Sequence, residues 1–529
     1  MRMSQVSAGG DGIASGRRIC RLFSFGGLAL AASLAAAPVM AQQPTQAAIE
    51  ALLPDLEKQV AAGMSALSVP GVTIGIVFDD KLIYSKAFGA KEAGKPDPVT
   101  PDTIFQIGST TKAFFATTLA QAVDAGKLKW TDHVSDFVPA FQLADPFVSR
   151  DFRVLDIAAQ RSGLTPYVND GLAFLGFDKE TLFRSMRAAP QTGIFRSDFR
   201  YLNIPHLAGG EIVAKVNGAE SWAASVKRTL LDPLGMSSTT ATAEAIAQAP
   251  NHAMGHRLDD KPVAIPFHAA FPYALGPAGA FNSNVPDMAK WLRLQLGRGQ
   301  FGEKVIVSEE NLDVTWTPRV AINERMSYAV GWLAMATPRG RAIWHNGGTS
   351  GFGAHVGFLP DAKTGIVILT NIGGPSLADA LGLWFYDRVL GNPAIDNIAL
   401  AAASSKKQRE QEKLEQAAFV VGPVPANPAP FTGTYASPVL GDAVVSVVDG
   451  KLQAKLERTD LTMLLEANKD DPNLFQARLI PAGGYEAIVA IVGDTPFVQM
   501  RFERDMAGKI TQLRWINPEL PHLFTRQEP

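Results

Sequence analysis

A serine and a lysine three residues apart are the first candidates for chemistry in this chain. Ser109 and Lys112 lie in the stretch 105–115, and apolar residues recur at helical spacing after Gly108. Residues i and i+3 share one side of a helix, so the amine can reach the hydroxyl. A serine needs a nearby base to act as a nucleophile, and first-turn N–H groups favour the negative charge that develops on attack. The pair predicts covalent catalysis; an ordinary helix start with a solvated lysine is the alternative.

The spacing is not specific by itself, because it occurs twice. Ser404 and Lys407 repeat the pattern in a stretch that is typical of a linker.

A third polar group is expected, because the proton taken by a lysine must travel on to the leaving group. Tyr201 is the predicted relay, and Asn203, at the start of the same predicted helix, is predicted to hydrogen-bond an amide of the substrate. Tyr167 and Asn169 repeat this pattern as well, and spacing alone leaves the two tyrosines nearly even.

The stretch 344–352 is rich in glycine directly after a short predicted strand, which suits a backbone that approaches a ligand closely. His345 is predicted to face the site. Backbone N–H groups at such an edge, together with that of Ser109, would stabilise an oxyanion. Glycine runs also mark plain tight turns, and His355 begins a second histidine–glycine pattern nearby.

Metal catalysis is the competing chemistry. His252 and His256 are four residues apart, but the stretch lacks the glutamate of a metalloprotease helix and a third ligand. We interpret it as a polar loop and expect neither a metal nor an organic cofactor.

Elements on both sides of these residues must position them. A hairpin is predicted over 72–84, just before the Ser109 helix. Helices dominate the middle of the chain, and a long irregular region is expected before Arg200. The predicted helices cover 153–161, 201–216 and 222–231, and a further one begins at the capping pattern of Asn284 and Asp287. Strands are predicted at 329–333, 342–344, 354–359 and 365–370, before a helix over 376–390. This order predicts an α+β domain whose sheet contains strands from both ends.

The composition changes after residue 400. Residues 401–430 are first charged and then proline-rich, which predicts a linker. Short strands over 431–529, with a hairpin at Asp449 and Gly450, predict a small all-β domain. The first domain is then expected to span 45–400.

The whole-chain composition limits location and partners. A chain of 529 residues with 47% hydrophobic residues can bury a large core, and a net charge of −2 without a basic cluster argues against nucleic acid. Three arginines precede an apolar run over 28–40, which predicts a signal peptide over 1–41, cleavage after Ala41, and a periplasmic or secreted protein with no stable membrane span. An uncleaved anchor is the alternative, and the export route stays open. The single cysteine, Cys20, lies before this run, so the mature chain would have no disulfide.

Taken in order, the three motifs resemble those of the serine β-lactamase and penicillin-binding-protein superfamily, in its class C-like branch of esterases and D-amino-acid peptidases. The family pattern is S-x-x-K, then Y-x-N, then a triplet that begins with lysine or histidine and contains glycine. The matching positions are Ser109 and Lys112, Tyr201 and Asn203, and His345 to Gly347.

The resemblance implies a β-lactamase/DD-peptidase-like fold, an antiparallel sheet flanked by helices with a helical subdomain. It implies an oxyanion hole made by the backbone N–H groups of Ser109 and Gly348. It favours Tyr201 over Tyr167, because Tyr167 comes just after the family's Ser-Gly-Leu landmark at 162–164. The family's tyrosine stands well beyond that landmark. The C-terminal domain resembles barrel-like extensions of some of these peptidases, which can assist oligomerisation or restrict access.

Three positions depart from the family pattern. Arg161 stands where relatives often carry histidine, and Leu202 replaces a small residue. His345 replaces the lysine typical of class C β-lactamases, which points away from strong antibiotic hydrolysis and resembles esterases and D-stereospecific peptidases.

We therefore expect an exported serine hydrolase that cleaves an ester or an amide of a small or D-amino-acid-containing peptide through an acyl-enzyme on Ser109. Lys112 and Tyr201 would move protons, and Asn203 and His345 would orient the substrate. A β-lactamase is the alternative enzyme. A β-lactam sensor without turnover, or a scaffold protein, is the alternative of another class. The substrate and the oligomeric state stay open, including a homo-oligomer formed through the C-terminal domain.

Overall fold

The computed structural model describes residues 43–493, 495–517 and 519–528. The predicted signal peptide and its cleavage site lie outside them. The helices of these residues are, in chain order, α1 (Gln46–Glu50), α2 (Leu53–Leu67), α3 (Thr111–Asp124), α4 (Val134–Phe137), α5 (Pro146–Asp151), α6 (Val154–Ala158), α7 (Asp170–Phe174), α8 (Lys179–Met186), α9 (Ile204–Val216), α10 (Trp222–Val226), α11 (Asp232–Leu234), α12 (Ala243–Gln248), α13 (Val285–Leu296), α14 (Glu309–Trp316), α15 (Ser376–Leu390), α16 (Asn397–Ala417) and α17 (Glu486–Val492).

The strands fall into two groups along the chain. Those before residue 400 are β1 (Gly71–Phe78), β2 (Lys81–Gly89), β3 (Phe105–Gln106), β4 (Gly255–Leu258), β5 (Pro262–Ile265), β6 (Asn282–Ser283), β7 (Gln300–Phe301), β8 (Lys304–Val305), β9 (Val320–Ala321), β10 (Met326–Tyr328), β11 (Leu333–Thr337), β12 (Gly340–Gly348), β13 (Gly353–Leu359) and β14 (Thr364–Thr370). Those after it are β15 (Gly433–Ser437), β16 (Gly441–Val448), β17 (Lys451–Leu456), β18 (Leu461–Ala467), β19 (Leu474–Leu479), β20 (Val498–Arg504), β21 (Ile510–Ile516) and β22 (His522–Arg526).

An eight-stranded sheet forms the centre of the first domain, in the order β2-β1-β14-β13-β12-β11-β10-β9. Neighbouring strands are antiparallel throughout. β1 pairs with β14 from Val72↔Thr370 to Phe78↔Thr364. The N-terminal hairpin thus joins the last strands of the domain, which confirms the predicted sheet with contributions from both ends.

Both faces of the sheet centre are covered by helices. Ile366 and Ile368 belong to a buried cluster that includes residues of α2 and α15, whereas Val367 and Leu369 belong to a second cluster that includes residues of α3 and α13. Successive side chains of a strand point to opposite faces, so a strand that is covered on both sides reads as a continuous apolar run. α3, which carries Lys112, therefore lies inside the domain.

Two local predictions were wrong. Residues 329–332 are the turn between β10 and β11, where Ala329 N donates to Trp332 O at 2.8 Å; their apolar character reflects burial rather than a strand. The region expected to be irregular contains α7 and α8, the latter capped by Asp178, whose side chain accepts from Thr181 N at 2.8 Å. By contrast, the helix predicted over 222–231 is confirmed, because α10 covers Trp222–Val226 and helical turns with π-type hydrogen bonds continue over Lys227–Leu231.

The C-terminal domain is a closed barrel of eight antiparallel strands, β15 to β22. It closes where Tyr435 pairs with Arg526. Rings of Phe431, Phe475 and Phe502 fill the interior with edge-to-face contacts of 5.0–5.3 Å. Closure leaves no free strand edge, and inward side chains alone supply the core. The barrel confirms the predicted fold, although α17 interrupts its strands.

The barrel packs against the first domain beside α7. His522 Nε2 lies 3.0 Å from Asn169 Oδ1, and the Tyr485 hydroxyl donates to Leu175 O at 3.1 Å. Each of these contacts joins the barrel to the segment that leads into or out of α7.

The segment between the two domains is largely helical. α16 covers the charged part of the predicted linker and packs along α15 and α2. Among the described residues, no helix combines the length and the apolar character that crossing a membrane requires.

Candidate active site

Ser109 lies at the start of α3, in a single 3-10 turn over Gly108–Thr110. Two threonine hydroxyls fix this turn: Thr110 Oγ1 donates to Ile107 O at 2.9 Å, and Thr111 Oγ1 donates to Gly108 O at 2.7 Å. α3 is buried on almost every side, while Ser109 itself keeps partial exposure. The serine is thus an accessible residue on a rigid element.

Lys112 is fully buried, and its amine contacts the serine hydroxyl. Its Nζ lies 3.1 Å from Ser109 Oγ, 2.6 Å from Asn203 Oδ1 and 2.7 Å from Ala278 O. These three acceptors match the three N–H groups of an ammonium. These acceptors suit the charged amine, but burial favours the neutral amine and lowers the pKa of Lys112 to about 7. The Asp170 carboxylate has the opposite effect and raises this pKa. The amine can therefore exchange a proton near neutral pH.

Tyr201 lies against the same pair. Lys112 Nζ is 4.7 Å from the centroid of its ring. Burial raises the pKa of Tyr201 well above its ordinary value, while a hydrogen bond with Ser109 works in the other direction. The phenol is therefore neutral at physiological pH. The ring of Tyr167 lies next to that of Tyr201 at a tilt of 40°, with ring centroids 5.2 Å apart.

Asn203 faces the lysine rather than an open surface. Its Oδ1 accepts from Lys112, and its Nδ2 donates to Asp170 Oδ2 at 2.6 Å. Both ends of the amide are thus engaged inside the protein, and a role in substrate binding stays a prediction.

His345 lies beside Tyr201, with ring centroids 6.3 Å apart. Its Nδ1 is 2.6 Å from Asn346 O, and its Nε2 is 2.9 Å from the Tyr328 hydroxyl. A carbonyl only accepts, so the network assigns the proton to Nδ1 and makes Nε2 an acceptor from Tyr328. Burial lowers the pKa of His345 to about 3, with Lys112 adding to the effect. The ring is neutral and held by the protein on both nitrogens.

The end of β12 runs directly along the Ser109 turn. A Cβ on Gly347 would lie 1.9 Å from Ile107 O, and one on Gly108, whose φ is +50°, would lie 2.9 Å from Gly348 N. Only glycine on both sides permits this approach. It brings the peptide groups of Ser109 and Gly348 close together, as an oxyanion hole requires, and that role stays a prediction.

The duplicate serine–lysine pattern is placed differently. Ser404 and Lys407 are exposed on α16, whereas Lys112 is fully buried. The two histidines of the competing metal hypothesis make separate contacts: His252 Nδ1 lies 2.6 Å from Ala249 O, and His256 Nδ1 lies 2.7 Å from Asn371 O.

Sequence reasoning missed two groups at the site, the Asp170 carboxylate and the Ala278 carbonyl. Asp170 directly follows the Tyr167–Asn169 pattern, over which the family resemblance favours Tyr201, and it lies in a region expected to be irregular. Its charge among apolar neighbours was the available signal. The Ala278 carbonyl is main chain, which no residue pattern reveals.

A sequence profile of the family described as Beta-lactamase matches residues 56–388, which is more than half of the chain. The chain belongs to the beta-lactamase family. This match confirms the predicted superfamily. Proteins of this family are generally serine hydrolases.

Individual relatives cover different parts of this beta-lactamase family member. Unguisins hydrolase ungD of Aspergillus violaceofuscus is 24% identical over 520 residues, 89% of each chain. The Beta-lactamase of Escherichia coli strain K12 is 24% identical over 344 residues, 60% of this chain and 88% of that protein. The structure of the octameric penicillin-binding protein homologue from Pyrococcus abyssi covers 89% of this chain and 99% of its own, with a TM-score of 0.58 and 22% identity. This last likeness shows a shared fold.

Proposed function

We propose that this protein is an exported serine hydrolase that cleaves an amide of a small or D-amino-acid-containing peptide, or an ester, through an acyl-enzyme on Ser109. The observation that carries the proposal is the fully buried Lys112, whose Nζ lies 3.1 Å from Ser109 Oγ. A buried amine next to a partly exposed hydroxyl is the arrangement that makes serine a nucleophile at neutral pH.

Acylation begins when neutral Lys112 takes the Ser109 proton as Oγ bonds to the substrate carbonyl carbon. The electron pair of the C=O bond moves to oxygen, and the N–H groups of Ser109 and Gly348 stabilise that charge. Collapse of the intermediate breaks the C–N or C–O bond. An amine leaving group takes the phenol proton of Tyr201. The Lys112 ammonium then donates a proton back to the Tyr201 hydroxyl.

Deacylation reverses the proton path. Water loses a proton to the Lys112 and Tyr201 pair as its oxygen adds to the acyl carbon. The bond to Ser109 Oγ then breaks, and the serine regains a proton from the same pair. The acid product leaves, and no metal or organic cofactor takes part in the proposed cycle.

The neutral His345 supports peptides or esters over antibiotics as substrates. The class C lysine that this ring replaces would bring a fixed positive charge, whereas both His345 nitrogens are already engaged. The likeness to an unguisins hydrolase along 89% of both chains adds support for a hydrolytic activity.

Active-site labelling tests the proposal. Intact-mass measurement after treatment with a fluorophosphonate should show one adduct on the wild type and none on Ser109→Ala. Ser404→Ala is the matched control, because Ser404 belongs to the exposed copy of the motif, and it should label like the wild type. Full p-nitrophenyl ester hydrolysis by Ser109→Ala would refute Ser109 as the nucleophile.

A substrate screen separates the alternatives. Short L- and D-peptides, p-nitrophenyl esters and nitrocefin are offered to the same preparation. Turnover of nitrocefin well above that of peptides and esters would favour the β-lactamase alternative. A permanent β-lactam adduct without turnover of any substrate would favour a sensor.

Export and assembly complete the proposal. The arginine-led apolar run before Ala41 supports export, and N-terminal sequencing of the protein recovered from the periplasm or medium tests cleavage there. The fold shared with an octameric homologue supports a homo-oligomer, which mass photometry of the full chain tests.

A further inference from the structure

Asp170 is a carboxylate placed one amide group away from the proposed base. It is the first residue of α7, and its Oδ2 accepts from Asn203 Nδ2 at 2.6 Å. Asn203 Oδ1 in turn accepts from Lys112 Nζ at 2.6 Å. One side-chain amide therefore bridges the carboxylate and the amine, and it fixes the positions of both.

The second carboxylate oxygen of Asp170 makes burial of this side chain unfavourable for folding. Asp170 Oδ1 is buried without a hydrogen-bond partner. An unsatisfied buried oxygen of a charged group destabilises a fold unless a nearby opposite charge compensates it. A neutral asparagine at this position would keep the contact to Asn203 and remove the charge, so folding alone does not call for an acid here.

The surroundings leave Asp170 as the counter-charge of Lys112. The titratable groups around the two residues, apart from the pair, are Tyr167, Tyr201, His206, His345 and Glu519 of the barrel. Burial raises the pKa of both tyrosines and lowers the pKa of both histidines, so these four are neutral near pH 7. Glu519 is also an acid. It raises the pKa of Asp170, which burial, the largest influence, already brings to about 7 against the lowering effects of Asn203 and Lys112.

We propose that Asp170 is a positioning residue of the hydrolase, which holds Lys112 through Asn203 and compensates the ammonium that forms when Lys112 takes the Ser109 proton. This inference rests on the proposed function. Asp170 forms and breaks no covalent bond. Its charge lowers the free energy of the state in which the proton has moved and the oxyanion has formed, because a lone cation inside the domain would lack a partner.

The variant Asp170→Asn tests the role of the charge. The carboxylate raises the Lys112 pKa, so its removal lets the lysine lose its proton at lower pH. We expect the acid limb of the pH profile of fluorophosphonate labelling to move down by about one pH unit. The plateau rate should fall about tenfold, because the ammonium formed in the reaction loses its counter-charge.

Two further variants make the result specific. Asp170→Glu restores the charge and should return the limb toward the wild-type position. Asp470→Asn removes an exposed carboxylate of the barrel and should leave the profile unchanged. A lower plateau in Asp170→Asn with an unmoved limb would overturn the proposal, since a purely structural role predicts that outcome. Labelling that persists in Ser109→Ala would overturn the proposed function instead, and this inference with it.

A measurement on the wild type keeps the test independent of how the variants fold. NMR of protein labelled at aspartate carboxyl carbons and lysine side-chain carbons follows Asp170 and Lys112 through a pH titration. Coupled titration, with each resonance sensing the ionisation of the other, is the expected result. Independent single steps would overturn the proposal.

Discussion

Because β12 lies very close to the Ser109 turn, the substitution Gly347→Ala would create a steric clash. The new Cβ would lie 1.9 Å from Ile107 O and 3.2 Å from Ser109 N. Carbon–oxygen contacts in proteins are about 3.3–3.6 Å, so the peptide groups must separate by roughly 1.4 Å. β12 is held between β11 and β13, and it therefore cannot move without disturbing its neighbours.

The size of the effect follows from that displacement. Overpacking of this kind costs about 1–3 kcal/mol of folding stability. A displacement on the scale of an ångström at reacting groups costs about 100-fold in rate. We therefore expect Gly347→Ala to fold with a lower unfolding temperature and to react with a fluorophosphonate about 100-fold more slowly than the wild type.

Labelling rates from intact-mass time courses, together with scanning calorimetry, check this expectation. Gly171→Ala is the control, because a Cβ there meets nothing within 4 Å, and it should keep the wild-type rate. A rate for Gly347→Ala within about threefold of the wild type would refute the reasoning, since it would show that the glycine contact does not set the geometry around Ser109.

Three further predictions concern proton transfer and protonation. Because burial lowers the pKa of Lys112 to about 7, the labelling rate should rise as the pH passes through about 7 and the ammonium loses its proton; a profile that is flat between about pH 5 and about pH 9 contradicts this. Tyr201→Phe should reduce amide turnover about 100-fold but p-nitrophenyl ester turnover much less, since that leaving group needs no proton; equal losses would argue against the relay. Burial lowers the pKa of His522 to about 4 from 6.5, so its contribution to stability is complete above about pH 6.5 and is lost as the pH falls toward 4, by about 3 kcal/mol at most. His522→Gln should flatten that part of a urea-unfolding series, and an unchanged slope would contradict the assignment.

Much of the fold was predictable because its signals are local. The apolar run of β1, the polar turn after it and the apolar residues at 82–84 predict a hairpin without knowledge of the rest of the chain. The helix over 376–390 begins and ends as predicted, and Asn284 caps α13 by accepting from Asp287 N at 3.1 Å. Errors arose where a buried apolar turn resembles a strand, as at 329–332, or where short helices lack a long apolar period, as in α7 and α8.

The candidate site was predictable only as a set of residues in order. Spacing could not distinguish Ser109 from Ser404, because both precede a lysine by three positions. The structure distinguishes them by burial: Lys112 is enclosed, whereas Lys407 is exposed on α16. His345 had the expected place in the chain, but its neutral state depends on Tyr328 and on the depth of the site.

By itself, the sequence determined the order of the three motifs, the α+β domain and the barrel that follows it, because each depends on residues close together in the chain. Only the tertiary structure decided the chemistry of Lys112. Its hydrogen-bond partners Asn203 and Ala278 lie 91 and 166 positions away in the chain, and no local sequence pattern predicts these contacts. A pKa near 7 results from removing an amine from water and placing it one amide away from a buried carboxylate, and both conditions exist only once the chain has folded.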